Sequence, residues 1–322
     1  MKTPQKALGS GFGAESTAQE VIAGIDLSGK TALITGGYSG IGTETVRALA
    51  GAGARVIVAG RRPEQARETL ADIIDTLTVI GLDLSDPASI DVCAKAVAAA
   101  TNQIDLLINN AAIMACPLAR DSRGYESQFA TNHLGHFQLS ARLWPLVKAA
   151  GAGARIVALS SLAHKRGDFV AEDPNYERRD YEKWEAYGQA KTANALFAVQ
   201  LDSLAKAQGV RAYSVHPGGI MTNLGRYLTP DDIAMLRAGA ESGSGLKFKP
   251  VEAGAATSVW AATSPLLDGK GGVYCEDCDI AELTSLDRNA SKSGVMPHAC
   301  DTDAAARLWE VSEKLTGVRF AV

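Results

Sequence analysis

Several features that would mark the chain as secreted, membrane-spanning or nucleic-acid-binding are missing from its sequence. Cysteine is scarce: Cys93, Cys116, Cys275, Cys278 and Cys300 form an odd, scattered set among 322 residues. That excludes a disulfide framework and fits a reducing cytoplasm. The close pair, Cys275 and Cys278, lacks the second ligand pair that a structural zinc site needs, and His298 and Cys300 stand far along the chain on no metal template. No metal is expected, and the pair reads as packed or incidental thiols. Apolar stretches are broken by Gly, Arg or Asn before the ~18 residues that a membrane span requires. Residues 1–24 show neither a basic start leading into an apolar core nor a small-residue cleavage site, so no secretory signal and no membrane partner are expected. Charge of one sign is not in excess either. Lys and Arg total 32 against 36 for Asp and Glu, a net charge of -4, which offers no electrostatic reason to expect nucleic acid.

Hydrophobic residues, by contrast, make up 46% of the chain, enough for a sizeable core and too many for a disordered or collagen-like chain. Their pattern alternates. KTALIT (30–35), ARVIVA (54–59), residues 77–82, DLLINN (105–110), ARIVAL (154–159) and VRAYSVH (210–216) read as short buried strands. Between them, helical spacing is expected over 41–51, after Pro63, from Pro87 toward Ala100, over 124–149 and over 184–207. Short apolar strands alternating with amphipathic helices predict a doubly wound, mostly parallel sheet with helices on both faces. Two segments break the rhythm: a polar one of mixed charge before residue 184, and a Gly-, Ser- and Met-rich one after residue 221. Both follow strands on the carboxyl side, where ligands bind in such sheets, so both are read as binding loops.

The 32 glycines matter through their placement. The first strand runs into Thr35-Gly36-Gly37-Tyr38-Ser39-Gly40-Ile41-Gly42. Glycine in a strand-to-helix turn lets backbone approach a pyrophosphate, and the following helix start favours its charge. The turn is therefore assigned to a dinucleotide through Gly36, Tyr38, Ser39, Gly40, Ile41 and Gly42. At the end of the second strand, Gly60 occupies the place where an acid would bind a ribose 2′-hydroxyl, and Arg61 and Arg62 follow. Two guanidinium groups suit a 2′-phosphate, which favours NADP over NAD; the alternative is a pair of solvated surface arginines. Asp83 and Leu84, just past the third strand, are the expected adenine contacts.

At this point the chain resembles the short-chain dehydrogenases/reductases of the classical branch. The resemblance rests on the T-G-x-x-x-G-x-G turn, on Asn109-Asn110-Ala111-Ala112 (Ala112 replacing a final glycine), on Tyr187-x-x-x-Lys191, and on Pro217-Gly218-Gly219-Ile220-Met221-Thr222. Within the family it is most similar to the retinol-dehydrogenase-like and protochlorophyllide-reductase-like group, through NNAAIMACP (109–117), TNHLGHF (131–137), SSLAH (160–164) and YSVHPG (213–218). Ser161 and Tyr187 lie 26 positions apart, about twice the usual separation for the branch, as in that group's inserted loop.

The resemblance implies an NADP(H)-dependent oxidoreductase acting on a small-molecule carbonyl or secondary alcohol. Tyr187 would be the acid–base, Lys191 would lower its pKa and hold the nicotinamide ribose, and Ser161, rather than Ser160, would polarise the substrate oxygen. Asn132 would hold a water leading to the lysine. Asn110, Ala111, Ala112, Pro217, Gly218, Ile220 and Thr222 would complete the cofactor site, while Asn109 either braces the central strand or touches the cofactor. Tyr187 and Lys191, four apart, share a helix face, and a nearby ammonium together with the positive nicotinamide ring would favour phenolate. His133, His136 and His216 are read as packing or strand-end hydrogen-bonding residues, and His164 as the one histidine to consider near substrate. Met114, Tyr181, Trp184, Leu224, Tyr227, Met235 and Leu236 suggest a pocket for an apolar or aromatic substrate. The chain divides into an arm (1–26) and one domain (27–322) with an insertion (163–184), a substrate flap (222–250) and a C-terminal extension (280–322). Monomer and homo-oligomer are both compatible with the sequence. A rival from another class, a non-catalytic NADP(H)-binding sensor or scaffold, would have no need of Tyr187 and Lys191.

Overall fold

Strands buried on both faces need apolar side chains at consecutive positions, and the strings above supply them. The computed structural model describes residues 3–241, 248–284 and 293–322. Seven strands run parallel: β1 (Thr31–Thr35), β2 (Arg55–Gly60), β3 (Leu77–Gly81), β4 (Leu106–Asn109), β5 (Arg155–Leu159), β6 (Arg211–His216) and β7 (Val273–Glu276). A short β8 (Asp279–Ile280) turns back antiparallel on β7. The sheet order is β3-β2-β1-β4-β5-β6-β7-β8. Order reverses between β1 and β4, whose carboxyl ends therefore flank the crevice where such sheets take ligands.

The helices, in chain order, are α1 (Ala18–Ile22), α2 (Ile41–Gly51), α3 (Pro63–Thr69), α4 (Pro87–Ala100), α5 (Ser127–Phe129), α6 (Gly135–Ala150), α7 (Lys183–Ala205), α8 (Pro230–Glu241), α9 (Val251–Thr263) and α10 (Thr302–Thr316). Successive strand residues feed opposite layers. Ile34 and Ile108 join Val21, Leu49 and Trp260 of α1, α2 and α9. Leu33 and Leu107 join Ile90, Phe137 and Leu201 of α4, α6 and α7 on the other side. α7 is buried on nearly every face, because the sheet covers one side and the C-terminal extension the other: Trp309 stacks on Phe197 with ring centroids 5.9 Å apart. Among the described residues no helix is long and apolar enough to cross a membrane.

One expected element is altered, and two local details add to the rest. The helix expected from residue 124 starts at Ser127, because the Glu126 carboxylate accepts the amides of Gln128 (2.8 Å) and Phe129 (2.7 Å). It then contains a π-helical turn, Ala130–Leu134, before α6. The arm is built onto the body as well: the Gln5 side chain donates to the carbonyls of Tyr274 (2.7 Å) and Ala281 (2.6 Å). Cys275 lies in β7 and Cys278 in the β7–β8 turn, where Asp277 and Cys278 take left-handed conformations (φ 51° and 60°), as a two-residue hairpin turn requires.

Four histidines are enclosed by this packing, and burial lowers their pKa values to about 3 for His133, about 4 for His136, about 3 for His164 and about 3 for His216. An unfolded chain takes up protons on these rings below about pH 6.5, while the folded chain refuses them until pH 4 or lower. Their contribution to stability is therefore whole above pH 6.5 and is lost as pH falls toward 4. Glu126 and Glu276, whose carboxyls burial raises, oppose this with two groups against four. Urea unfolding should show a midpoint that drops steeply from pH 7 to pH 5; a midpoint constant over that interval would contradict neutral burial of the four rings.

Candidate active site

The turn between β1 and α2 lies at the reversal of strand order. Gly40, the residue before α2, has φ 55° and offers no side-chain cap; the Gly42 and Thr43 amides turn back to the carbonyls of Ser39 (3.2 Å) and Gly40 (3.1 Å). Gly42 is a packing glycine: a Cβ there would stand 2.5 Å from the Gly36 carbonyl and 2.8 Å from the Asn110 side chain. It does not line the cavity as expected, whereas Gly36, Tyr38, Ser39, Gly40 and Ile41 do. The Thr35 hydroxyl accepts the amides of Asn110 (2.9 Å) and Ala111 (3.0 Å), and Asn110 Nδ2 donates to the Thr35 carbonyl at 2.8 Å. Asn109 is buried and donates to Ser140 Oγ at 3.1 Å, a bracing position.

From this turn one cavity of about 930 Å³ extends in two directions. Toward β2 and β3 it meets Arg61, Arg62, Asp83 and Leu84. Among the described residues neither Arg61 nor Arg62 has an ion-pair partner. Gly60 lies under the Tyr38 ring, and a Cβ at Gly60 would sit 2.2 Å from Tyr38 Cε1. An acid on that strand end would have to displace the ring. The glycine-lined turn at the start of α2 fits the pyrophosphate of a dinucleotide.

In the other direction the cavity reaches Ala111, Ala112, Ser161, Tyr187, Lys191, Pro217, Gly218, Ile220 and Thr222. Glu182 caps α7 by accepting the amides of Trp184 (3.0 Å) and Glu185 (2.7 Å), which places Tyr187 in the second turn. Tyr187 is 4% exposed and Lys191 2%. Lys191 Nζ donates to the Leu159 carbonyl at 2.9 Å and lies 5.6 Å from the Tyr187 ring centre. Ser161 Oγ accepts the Ala163 amide at 3.1 Å and lies near enough to Tyr187 to favour its phenolate. Ser160 instead donates to the Lys191 carbonyl at 2.7 Å, so its hydroxyl is engaged with the helix backbone. The serine loop is pressed onto α7 at a contact the sequence reading missed. A Cβ on Gly188 would lie 2.6 Å from the Ala163 carbonyl, and one on Gly167 2.3 Å from the Glu185 carbonyl. The available signal was a glycine beside the tyrosine in an otherwise regular helix.

Electrostatics in this corner differ from expectation. Burial pushes the Tyr187 phenol up, with the nearby Ser161 hydroxyl opposing it. Burial also lowers Lys191 to about 7, so the lysine carries only part of its charge at neutral pH. The protein groups by themselves thus do not produce the expected lowering of the tyrosine.

Asn132 is also placed differently. It sits in the π turn outside the cavity lining, and both ends of its amide are bonded to Ile113: Oδ1 accepts from Ile113 N and Nδ2 donates to Ile113 O, each at 2.9 Å. Its carbonyl, freed from the regular helical ladder, meets His136 Nδ1 at 2.9 Å. The other ring nitrogen lies 2.8 Å from Thr35 Oγ1. Thr35 Oγ1 already accepts two amides, so it donates to Nε2 and the imidazole proton resides on Nδ1. His136 is therefore bonded, as well as packed, between turn and helix. His164 is turned away from substrate: its Nε2 accepts from Met296 N at 3.1 Å and its Nδ1 meets Ser161 O at 2.7 Å. Tyr181 likewise leaves the pocket wall and donates to the Cys116 carbonyl at 2.8 Å. Met114, Trp184, Leu224, Tyr227, Met235 and Leu236 do line the cavity. The flap is latched by Asp232, which accepts from Trp184 Nε1 (3.0 Å), Thr229 N (2.7 Å) and Lys183 Nζ. A threonine three residues before an acid was the legible signal.

Gly188→Ala tests the contact that seats Ser161 beside Tyr187. Alanine gains about 1 kcal/mol of helix propensity, but overlap with fixed backbone costs about 1–3 kcal/mol. The variant should unfold at lower urea than the wild type and lose turnover; an equal or higher midpoint would show that the loop is not held against α7.

With the geometry in place, the comparisons are informative. The family model for short chain dehydrogenase matches residues 30–233. A Streptomyces lividans protein named "Probable oxidoreductase" is 45% identical over 296 residues, covering 89% of this chain and 97% of its own. Retinol dehydrogenase 12 from Homo sapiens is 36% identical over 301 residues, covering 92% of this chain and 89% of its own. A crystal structure of an uncharacterised protein from Mycobacterium paratuberculosis, 31% identical, matches with a TM-score of 0.73 and covers 96% of this chain and all of its own. An unbroken family match through the glycine turn and the Tyr187–Lys191 helix, on a sheet of this order, leads to one conclusion: the chain belongs to the short-chain dehydrogenase/reductase family of oxidoreductases.

Proposed function

We propose that the protein is an NADP(H)-dependent oxidoreductase of the cytoplasm that interconverts a carbonyl and a secondary alcohol, with Tyr187 as the acid–base. The observation that carries the proposal is the convergence of Tyr187, Ser161 and Lys191 on one buried corner of a cavity that continues to Arg61 and Arg62. When bound, the nicotinamide ring supplies or takes up the hydride. The remaining chemistry falls to the chain's own groups.

Ser161, anchored by the loop on Gly188, polarises the substrate oxygen. Tyr187 gives that oxygen a proton in reduction and removes one in oxidation. Its high intrinsic pKa suits it as the proton donor, and the reverse direction needs a neighbouring positive charge. Lys191 supplies that charge: its Nζ donates to Leu159 O, and the side chain lines the cavity, where it would hold the nicotinamide ribose hydroxyls. Anionic and hydroxyl partners there favour the ammonium form and raise Lys191 from about 7. Asn132 acts through Ile113, which lines the cavity, and so orients the loop past β4. The NADP preference is supported by the unpaired Arg61 and Arg62 and by the ring of Tyr38 over Gly60. The apolar wall formed by Met114, Trp184, Leu224 and Leu236 supports an apolar or aromatic substrate body.

Following NADPH oxidation with a panel of aldehydes and ketones should reveal turnover in the wild type. Tyr187→Phe should reduce it about 10²- to 10⁴-fold, the usual worth of a positioned acid–base. Turnover that survives this change would remove Tyr187 from the mechanism, and NADPH binding without turnover of any carbonyl would favour a sensor or scaffold. For the coenzyme, Arg61→Ala with Arg62→Ala should weaken NADPH binding at least tenfold more than NADH binding, each measured by fluorescence titration. Equal losses would show that these arginines do not read the 2′-phosphate.

A further inference from the structure

Beyond Tyr187 the cavity wall is basic, although the chain as a whole carries a net charge of -4. Arg166, from the loop after β5, and Arg226, from the flap after β6, both line it. Among the described residues neither guanidinium has a carboxylate within ion-pair distance. The acid on this part of the wall, Asp121, is committed to Arg123, which donates to it from Nε (2.8 Å) and Nη2 (2.7 Å). Arg120 is committed as well, since its guanidinium donates to the carbonyls of Gly124, Asn175 and Tyr176.

The two uncommitted arginines are held in place by rings. Arg166 stands 5.4 Å from the Trp184 ring centre, and Arg226 stands 4.8 Å from that of Tyr227. Arg226 also donates to the Asn223 carbonyl at 3.2 Å. Arg166 directly precedes Gly167, whose backbone is pressed onto α7, so its placement is tied to the helix that carries Tyr187. Stacking restrains a guanidinium while leaving its in-plane N–H groups free, which is the arrangement that receives a carboxylate. Both arginines are exposed and line one cavity, so a carboxylate entering it meets guanidinium groups that no protein carboxylate occupies. Met114, Leu236 and Trp184 pack around Tyr187 and leave the wall nearest the reacting corner apolar.

We infer that the substrate is an oxo-acid or its hydroxy-acid counterpart: a carbonyl or alcohol at Tyr187, an apolar middle, and a carboxylate received by Arg166 and Arg226. The inference rests on the oxidoreductase reading for its chemistry and on the two arginines for its anion.

The test uses the NADPH-saturated protein and a graded series of aryl and alkyl oxo-acids, such as 3-benzoylpropionate and 4-benzoylbutyrate, each beside its methyl ester. At the best chain length kcat/KM for the acid should exceed that for the ester by about tenfold or more, the scale of a charge-assisted pair. The advantage should reside mainly in KM and shrink in 0.5 M NaCl. Arg166→Gln and Arg226→Gln should each cut the acid-to-ester ratio several-fold, and the double variant should bring it near one. A ratio near one in the wild type across the series, or one that persists in the double variant, overturns the inference. If the esters are still reduced in a Tyr187-dependent manner, the oxidoreductase reading stands without it. Calorimetric titration of the same acids and esters gives a readout independent of turnover. Acid binding that depends on both arginines, with no reduction, would support the anion site while sinking the redox reading. No preference for acids in binding would overturn the anion site.

Discussion

The hydroxyl of Thr35 sits where the sheet changes direction, and much of the site is referenced to it. Two amides from the end of β4 converge on its oxygen, and its proton goes to His136. Through His136 the same hydroxyl reaches the carbonyl of Asn132, whose amide clamps Ile113. One side chain at the last position of β1 thus fixes the spacing of two parallel strands, the loop that leaves β4 and the π turn in front of α6. Such a junction is effective because it is buried and fully satisfied; a single unpaired member would cost more than the bond it lost.

The same logic of enclosure explains the elaborations around the sheet. α7 carries the tyrosine and lysine, and a helix buried on one face alone would leave its outer side exposed. The C-terminal extension covers that side with Trp309 and Phe320, packed at 4.8 Å on each other and against Phe137. Ser312 reaches through to His133 at 2.7 Å. The insertion covers the start of the helix, with Asp173 gathering the amides of Glu177, Arg178 and Arg179. Extra length here serves to make α7 an interior element, and burial then determines the behaviour of its ionisable groups. Lys191 is moved to about 7 and Tyr187 upward by loss of solvent, so the pair is poised to respond to whatever charge enters the cavity.

Along the cavity, charge is distributed unevenly. Arg61 and Arg62 mark one end, Arg166 and Arg226 the other, and the wall between them is mostly apolar around the buried tyrosine. An open basic end is compatible with a mildly acidic protein because the acids elsewhere are largely paired or capped, as Asp232, Asp121 and Asp202 are. Cations at both ends and an apolar centre accord with the proposed dinucleotide in one arm and anionic substrate in the other.

What the sequence by itself determined was the periodic and the local. The alternation of apolar runs and helical spacing carried the strand and helix positions, and the ordered motifs carried the dinucleotide turn, Tyr187, Lys191 and the serine pair. These are legible because backbone periodicity and tight turns are imposed by neighbours a few residues away. The tertiary structure decided the rest. It turned His164 toward Met296 and Tyr181 toward Cys116, gave Asn132 to Ile113, gave Ser160 and Ser161 different partners, and brought Arg166 and Arg226 to one cavity. Each of those outcomes is a competition for a partner far along the chain: 132 residues separate His164 from Met296 and 65 separate Cys116 from Tyr181. Burial and partner choice at such separations exist only once the sheet has brought the segments together.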